Sequence, residues 1–488
     1  MTAMAHPLTG ASFDPSLNWE TIDWSTVQRQ VKRMQMRIAK AIREKRYGKA
    51  KALQHLLSSS FYGKLKAVKR VTENHGSKTP GVDGVTWKTP VQKMNAVFEL
   101  KRRTYQTLPL RRIYIPKRNS QKRPLSIPSM RCRAMQALHL LGLEPISETL
   151  ADPNSYGFRP RRATADAIGQ CYNLFARKCS PQWILEGDIK SCFDKIRHDW
   201  LLANIPMDQQ ILKKWLKAGY IEDKTLHATE EGTPQGGIIS PCILTMTLKG
   251  LETDIKKRWP VKSPHKVNIV VYADDFIVTG VSKEILVQKV KPVIDAFLKE
   301  RGLELSREKT KITRIDEGFD FLGFNVRKYK GRLFIKPAKG RVKDFLANIR
   351  NLIKNKGTIK TEELIRLLNP KIRGWSNYYR HVVAKKAFCR VDHFIFWALW
   401  NWAKRRHPKK GLRWVQKKYY RTYRNDRWTF FSKVNNEEGK TEFLDLFKAR
   451  SIPIRRYVKL RAEANPYDPQ YRDYFNQRDN RKRKTGSD

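Results

Sequence analysis

The stretch Val267 to Val281, VNIVVYADDFIVTGV, places two apolar, β-branched runs on either side of Ala273, Asp274 and Asp275. Such runs around a short polar break predict a buried hairpin with two carboxylates at its tip. Adjacent carboxylates repel, and desolvating them among apolar strands is costly unless a cation neutralises them, so the pair points to a divalent metal. An Asp-Asp pair standing alone more often marks a loop or a helix cap, so its surroundings decide the reading.

Upstream, ILEGDIKSCF puts Asp188 after the apolar stretch Trp183 to Leu185 of a strand candidate running from Trp183 to Ile189, where it can sit at a sheet end beside the hairpin. Three carboxylates on one edge can hold two Mg²⁺ ions, and two hard cations roughly 3.5 to 4 Å apart suit in-line phosphoryl or nucleotidyl displacement. Between these segments lies a Gly-rich stretch, GTPQGGIISP, from Gly232 to Pro241. Further upstream, LPLRRIYIPKRNSQKRPLSI (Leu108 to Ile127) alternates apolar and basic residues around a polar centre at Asn119 to Lys122. That pattern predicts a two-stranded basic ribbon able to grip phosphates.

Helical periodicity is expected around Arg131 to Leu150, Thr164 to Lys178 and Lys283 to Arg301, interleaved with the strands, so the middle of the chain reads as α+β. Near the N-terminus, Val27, Val31, Met34, Ile38 and Ile42 recur at three- and four-residue spacing. Arg29, Lys32, Arg33, Arg37, Lys40 and Arg43 fill the other positions, giving an amphipathic helix with a basic outer face. A turn follows at Thr79 to Gly84, TPGVDG. After Arg341 the strand signals fade.

The chain of 488 residues carries 99 Lys/Arg against 46 Asp/Glu, a net charge of +53, which calls for a polyanionic partner. With 11% aromatic and 40% hydrophobic residues it is a folded protein and not a disordered basic tail. Six scattered cysteines form no C-x-x-C pair and read as reduced, mostly buried thiols. The longest strongly apolar run, Phe394 to Trp400, is far short of the ~18 residues of a membrane span, and MTAMAHPLTG lacks a signal-peptide pattern. A cytoplasmic protein is expected, associated with the nucleoid when on DNA. Residues 341–488 hold 38 Lys/Arg against 14 Asp/Glu and six of the 13 tryptophans, most of which core packing explains.

Taken in order, RPLSIPSMRCRAMQ (123–136), YGFRPRRATADAI (156–168), ILEGDIKSCFDKI (184–196), GTPQGGIISP, YADD, GLELSREKTKI (302–312) and FDFLGF (319–324) resemble the sequence blocks of group II intron-encoded reverse transcriptases, or maturases. The likeness runs from about Thr79 to the C-terminus. It implies a right-hand polymerase of α+β class, in which an antiparallel palm sheet is flanked by helices. The expected layout is a basic helical extension over 1–79, fingers and palm over 80–340, a helical thumb and X region over 341–430, and a DNA-binding region over 431–488.

Residue by residue, the resemblance implies that Asp188, Asp274 and Asp275 bind Mg²⁺, with the backbone carbonyl of Ile189 as a further ligand. Lys117 and Arg123 match the triphosphate-binding positions, with Arg111 and Arg112 as weaker candidates. Phe193 matches the aromatic that excludes a ribose 2′-hydroxyl, Gln235 the residue near the nucleotide sugar and template base, and Lys309 a general acid for the pyrophosphate. Primer and template contacts fall on Arg159, Gly236, Gly237, Phe321, Leu322 and Gly323, although Phe321 to Phe324 would serve equally as apolar packing. In RGWSNYYRH, Arg373, Trp375, Tyr378, Tyr379 and Arg380 match a surface for intron RNA.

The function so implied is an RNA-directed DNA polymerase that binds its parent intron RNA, promotes splicing and reverse splicing, and copies the intron by target-primed reverse transcription during retrohoming. Intron RNA, target DNA and dNTPs are the expected partners, and no membrane. Only 13 residues follow ANPYDPQYRDYF (464–475), and no cysteine follows Cys389, so no H-N-H endonuclease is expected. Two alternatives stay open: a reverse transcriptase of another lineage without an intron partner, and a splicing cofactor whose polymerase is vestigial.

Overall fold

The computed structural model describes residues 18–116, 122–424 and 426–484. They divide into two compact units, one formed by the described residues within 18–167, 185–312 and 460–484 and the other by those within 168–184 and 313–459.

The first unit is organised around the helix Met130–Leu150, capped by Ser129 and buried along almost its whole length. Three N-terminal helices, Trp24–Arg43, Tyr47–Ser59 and Phe61–Glu73, pack on it. The first of these follows the expected amphipathic pattern: Val27, Val31, Ile38 and Ile42 are buried, while the basic residues between them face outward. Buried Gln35 is satisfied by donating from Nε2 to the Leu141 carbonyl at 2.9 Å.

The basic ribbon forms as expected: β1 (Leu110–Pro116) and β2 (Lys122–Ile127) pair antiparallel, with Arg111 opposite Ile127 and Pro116 opposite Lys122. The strand β3 spans Trp183–Asp188. Two short strands outside the sequence expectation, β4 (Tyr220–Glu222) and β5 (Thr225–His227), extend the ribbon into a sheet of order β2-β1-β4-β5. A second sheet, of order β6-β7-β3-β8, contains the hairpin strands β6 (Ile269–Tyr272) and β7 (Asp275–Gly280), with β8 (Lys311–Arg314) beside β3.

Residues 460–484, expected within a DNA-binding region, fold back on this first unit. Leu460, Ala464 and Phe475 form a small apolar cluster. Arg162 donates from Nη2 to the carbonyls of Ala462 (3.1 Å) and Ala464 (3.0 Å), and the Leu460 amide donates to Asp166 at 2.7 Å. Tyr467 hydrogen-bonds Glu144, and Arg161 forks onto Asp479.

In the second unit, β9 (Phe319–Phe321), β10 (Phe324–Tyr329) and β11 (Arg332–Pro337) make an antiparallel meander. Helices Lys339–Lys354, Thr361–Tyr379 and Lys385–Arg406 follow, as the resemblance implied. The fading of strand signals after Arg341 does not hold to the end. β12 (Tyr420–Tyr423), β13 (Asp426–Asn435) and β14 (Thr441–Asp445) form a three-stranded sheet. Its pattern is hard to read because Thr429, Phe430 and Phe431 are all buried in succession, which breaks the alternation that marks a half-buried strand. Among the cysteines, Cys132, Cys171, Cys192 and Cys242 are buried, and Cys179 and Cys389 are exposed. Among the described residues, no helix is long and apolar enough to cross a membrane.

Candidate active site

The hairpin turns tightly: Tyr272 pairs with Asp275, leaving Ala273 and Asp274 as a two-residue loop, with Ala273 in the left-handed region at φ 57°. Gly157 lets another chain segment close on this turn, since a Cβ there would lie 2.2 Å from the Ala273 nitrogen. Glycine is also required at Gly187, where a Cβ would meet the Phe276 ring of β7 at 2.2 Å. The apolar ring thus seats the strand that ends in Asp188.

Asp188 and Asp274 are brought to the same sheet end by the backbone, because the Ile189 amide donates to the Asp274 carbonyl at 3.4 Å. Beyond Asp188 the chain bridges Leu305: the Ser306 amide donates to the Asp188 carbonyl (2.8 Å) and the Lys190 amide to the Glu304 carbonyl (3.0 Å). That bridge uses the Asp188 carbonyl and the Lys190 amide on either side of Ile189, and not the Ile189 carbonyl. Burial pushes the Asp274 carboxyl above its ordinary range, and the negative charge of Asp188 adds to the shift, while Arg123 and Lys309 oppose it.

Among the described residues, no three acidic, His or Cys side chains gather in an arrangement that holds a metal ion. Lys309 instead donates from Nζ to both carboxylate oxygens of Asp188, at 3.1 and 2.9 Å. An ammonium thus neutralises the carboxylate expected to face a divalent ion. The donor set of carboxylates and a backbone carbonyl remains of the hard oxygen type that Mg²⁺ takes, and the Lys309 contact shows that Asp188 attracts a cation.

Around the carboxylates, Arg123 of β2 donates from Nε to Gln235 Oε1 at 3.0 Å, and Gln235 donates from Nε2 to Asp194 at 3.0 Å. This relay ties the basic ribbon to the Gly-rich stretch and to the segment after β3. Asp194 escaped the sequence reading; its place in FDKI, next to Phe193, was the available signal. Phe193 is buried, and the exposed Phe158 packs edge-on against it at 6.2 Å between centroids. The Thr233 amide donates to the Phe193 carbonyl at 2.6 Å. Arg112 lies over the Tyr220 ring at 3.8 Å. Lys117 lies outside the described residues.

Several expected contact residues serve the fold. Arg159 is buried: Nε and Nη2 donate to Glu148 (2.8 and 2.9 Å) and Nη1 donates to the carbonyls of Asp152 and Ser155 (2.8 and 2.6 Å). It orders the preceding loop and is not presented to primer or template. Gly236 is exposed at φ 111°, whereas Gly237 is buried, and a Cβ there would meet Ser240 Oγ at 2.6 Å.

In the second unit, Leu322 and Gly323 form the tight turn between β9 and β10, both left-handed, at φ 51° and 81°. Phe321 is buried beside it. The Tyr378 hydroxyl donates to the Leu322 carbonyl (2.8 Å) and the Tyr379 hydroxyl to the Gly323 carbonyl (3.1 Å). Phe324, fully buried, stacks on Tyr378 at 5.2 Å. Tyr379 is therefore core and not an open RNA surface, and half-buried Trp375 is stacked on Phe345 at 4.8 Å. Arg373 and Tyr378 are exposed, and Arg380 is half-buried.

Comparison with known proteins places these features in families. Residues 115–326 match the reverse transcriptase (RNA-dependent DNA polymerase) family, 19–100 its N-terminal domain, and 342–420 the maturase-specific domain of group II introns. The chain is 34% identical to Protein YkfC of Escherichia coli (strain K12) over 311 residues, covering 54% of this chain and 80% of that protein. It is 28% identical over 408 residues to the group II intron-encoded protein LtrA of Lactococcus lactis subsp. cremoris, covering 64% and 68% respectively. A putative COX1/OXI3 intron 1 protein of Saccharomyces cerevisiae is 27% identical over 455 residues, covering 81% of this chain and 48% of that one.

Proposed function

Since this chain belongs to the group II intron-encoded reverse transcriptases and maturases, we propose that it copies its parent intron into cDNA by target-primed reverse transcription during retrohoming and assists the intron's splicing and reverse splicing. The observation that carries the polymerase half is the seating of Asp188 and Asp274 at one sheet end through the Ile189 amide. Reverse transcription uses divalent metal ions; Mg²⁺ is the ion proposed, held by Asp188, Asp274, Asp275 and the Ile189 carbonyl. When bound, it supplies activation of the attacking oxygen and charge stabilisation on the leaving group.

The residues of this chain then divide the remaining work. Arg123 offers a planar guanidinium to the triphosphate of the incoming dNTP. Gln235, fixed between Arg123 and Asp194, orients the nucleotide sugar. Phe193, held by Phe158, leaves no room for a 2′-hydroxyl and so favours deoxynucleotides. As the primer 3′-oxygen displaces pyrophosphate from the α-phosphorus, Lys309 delivers a proton from Nζ to the departing pyrophosphate. Gly236 and the Leu322–Gly323 turn lie along the primer and template. Arg373, Tyr378 and Arg380 contribute to the intron RNA surface, and the protein works in the cytoplasm and on the nucleoid.

The test is splicing of the flanking intron transcript at near-physiological Mg²⁺ with no protein, with wild type and with Asp274→Ala, alongside primer extension on an RNA template. Splicing stimulated by both proteins, with extension lost only in Asp274→Ala, is the expected result. Extension retained by Asp274→Ala overturns the site, and splicing stimulated by neither overturns the maturase role.

A further inference from the structure

The helix Lys385–Arg406 and the sheet strands β12 and β13 enclose a cavity of about 700 Å³. Ligand pockets fall in the range of roughly 300–1,000 Å³. One wall is aromatic: Phe396, Tyr420, Trp428 and Phe430 line it. Phe396 lies 5.6 Å from both Tyr420 and Trp428, and Tyr420 lies 5.4 Å from Phe430. These rings come from three separate elements, and their convergence is a product of the tertiary fold.

Tyr420 is only 5% exposed, yet its hydroxyl has no hydrogen-bond partner among the described residues. A buried, unpaired hydroxyl is costly and is ordinarily satisfied by protein, water or ligand. Ile395, Leu399, Leu446 and Phe447 add further apolar lining, and charged side chains complete it. Asp392 already accepts the amides of Ala449 (2.7 Å) and Arg450 (2.9 Å), and Asp426 is paired with Lys448 and Arg450. With both acids engaged and Arg390 exposed on the helix, the mouth presents positive charge.

We infer that this cavity is a receptor for a single unpaired nucleobase of RNA, its ring against Phe396 and Tyr420, its polar edge bonded to the Tyr420 hydroxyl, and its backbone phosphate met by Arg390 and Arg450. Stacking on aromatic side chains combined with a basic track is how single-stranded nucleic acid is held. A hydroxyl can donate or accept, so the pocket selects for an extruded base and not for one base identity. The inference rests on the proposed binding of intron RNA and names one site through which it occurs.

The probe is a hairpin RNA carrying one bulged 2-aminopurine, compared with the same hairpin in which that base is paired with uridine. Full-length Cys179→Ser protein is used, leaving Cys389, on the cavity wall, as its one exposed thiol among the described cysteines. The expected result is quenched fluorescence of the bulged base, slowed alkylation of Cys389, and tighter binding of the bulged than of the paired hairpin. Tyr420→Phe, which removes only the hydroxyl, should lower that preference about threefold to tenfold, and Cys389→Trp, which fills the mouth, should abolish it. Equal binding of both hairpins without protection of Cys389 overturns the pocket while leaving the RNA-binding reading intact. A bulge preference unchanged by both substitutions also overturns the pocket. Failure of either hairpin to bind overturns the RNA-binding reading together with it.

Discussion

Lys309 grips Asp188 with one ammonium placed between both carboxylate oxygens, at 2.9 and 3.1 Å. The lysine side chain is largely exposed and the aspartate largely buried. Bonding to Asp188 holds the Lys309 ammonium above its ordinary pKa, so the cation persists at neutral pH. Any metal ion binding Asp188 competes with this contact.

Lys309→Gln therefore lowers the Mg²⁺ concentration for half-maximal primer extension. An exposed ion pair is worth about 0.2–1 kcal/mol, so the shift is up to about fivefold. A Mg²⁺ titration of extension rate checks it, and a midpoint that stays put or rises contradicts the competition. Maximal rate should fall in the same variant, because the proton donor proposed for pyrophosphate is lost.

Gly187→Ala drives a methyl into the Phe276 ring, and overpacking of this kind costs about 1–3 kcal/mol. Because Asp188 is the next residue, extension activity falls together with stability. Adding Phe276→Leu should recover part of both, measured by urea unfolding and by extension rate. A double variant no better than the single one would place the damage elsewhere.

His139 is half-buried beside Trp215, with ring centroids 5.7 Å apart, and desolvation pushes its pKa down to about 4 from the ordinary 6.5. Asp208 opposes that shift, while Arg102 and His55 add to it. The unfolded chain then binds a proton between pH 6.5 and 4 that the folded one refuses, so stability falls as pH drops through this window. At pH 5 the loss relative to pH 7 is about 2 kcal/mol. Urea midpoints at the two pH values should show it, and His139→Gln should flatten the difference by that amount.

Tyr379→Phe removes the bond to the Gly323 carbonyl and should destabilise the second unit by about 0.5–1.5 kcal/mol. Its affinity for intron RNA should not change, whereas Arg373→Ala, at an exposed cation, should weaken RNA binding. Filter binding in parallel with hydrogen exchange at residues 321–324 separates the two roles. A loss of RNA affinity in Tyr379→Phe would return that residue to the RNA surface.

Much of the fold was legible because it rests on local patterns. Alternation marked β1 and β2, continuous apolar runs marked β6 and β7, three- and four-residue spacing marked the helix Trp24–Arg43, and the ordered blocks marked the family. The amino-acid order by itself thus determined the class of polymerase, the positions of Asp188, Asp274 and Asp275, and the basic character that suits nucleic acid. Tertiary structure decided which polar groups are spent inside the protein. Arg159 is consumed by Glu148 and two carbonyls, Tyr379 by the Gly323 carbonyl, and Asp188 by a lysine 121 positions away. It also drew Asp194 into the relay with Gln235 and Arg123, and closed Phe396, Tyr420 and Trp428 around one cavity. A side chain's chemistry is written at its own position, but its availability depends on which distant donor, acceptor or ring the folded chain brings within reach.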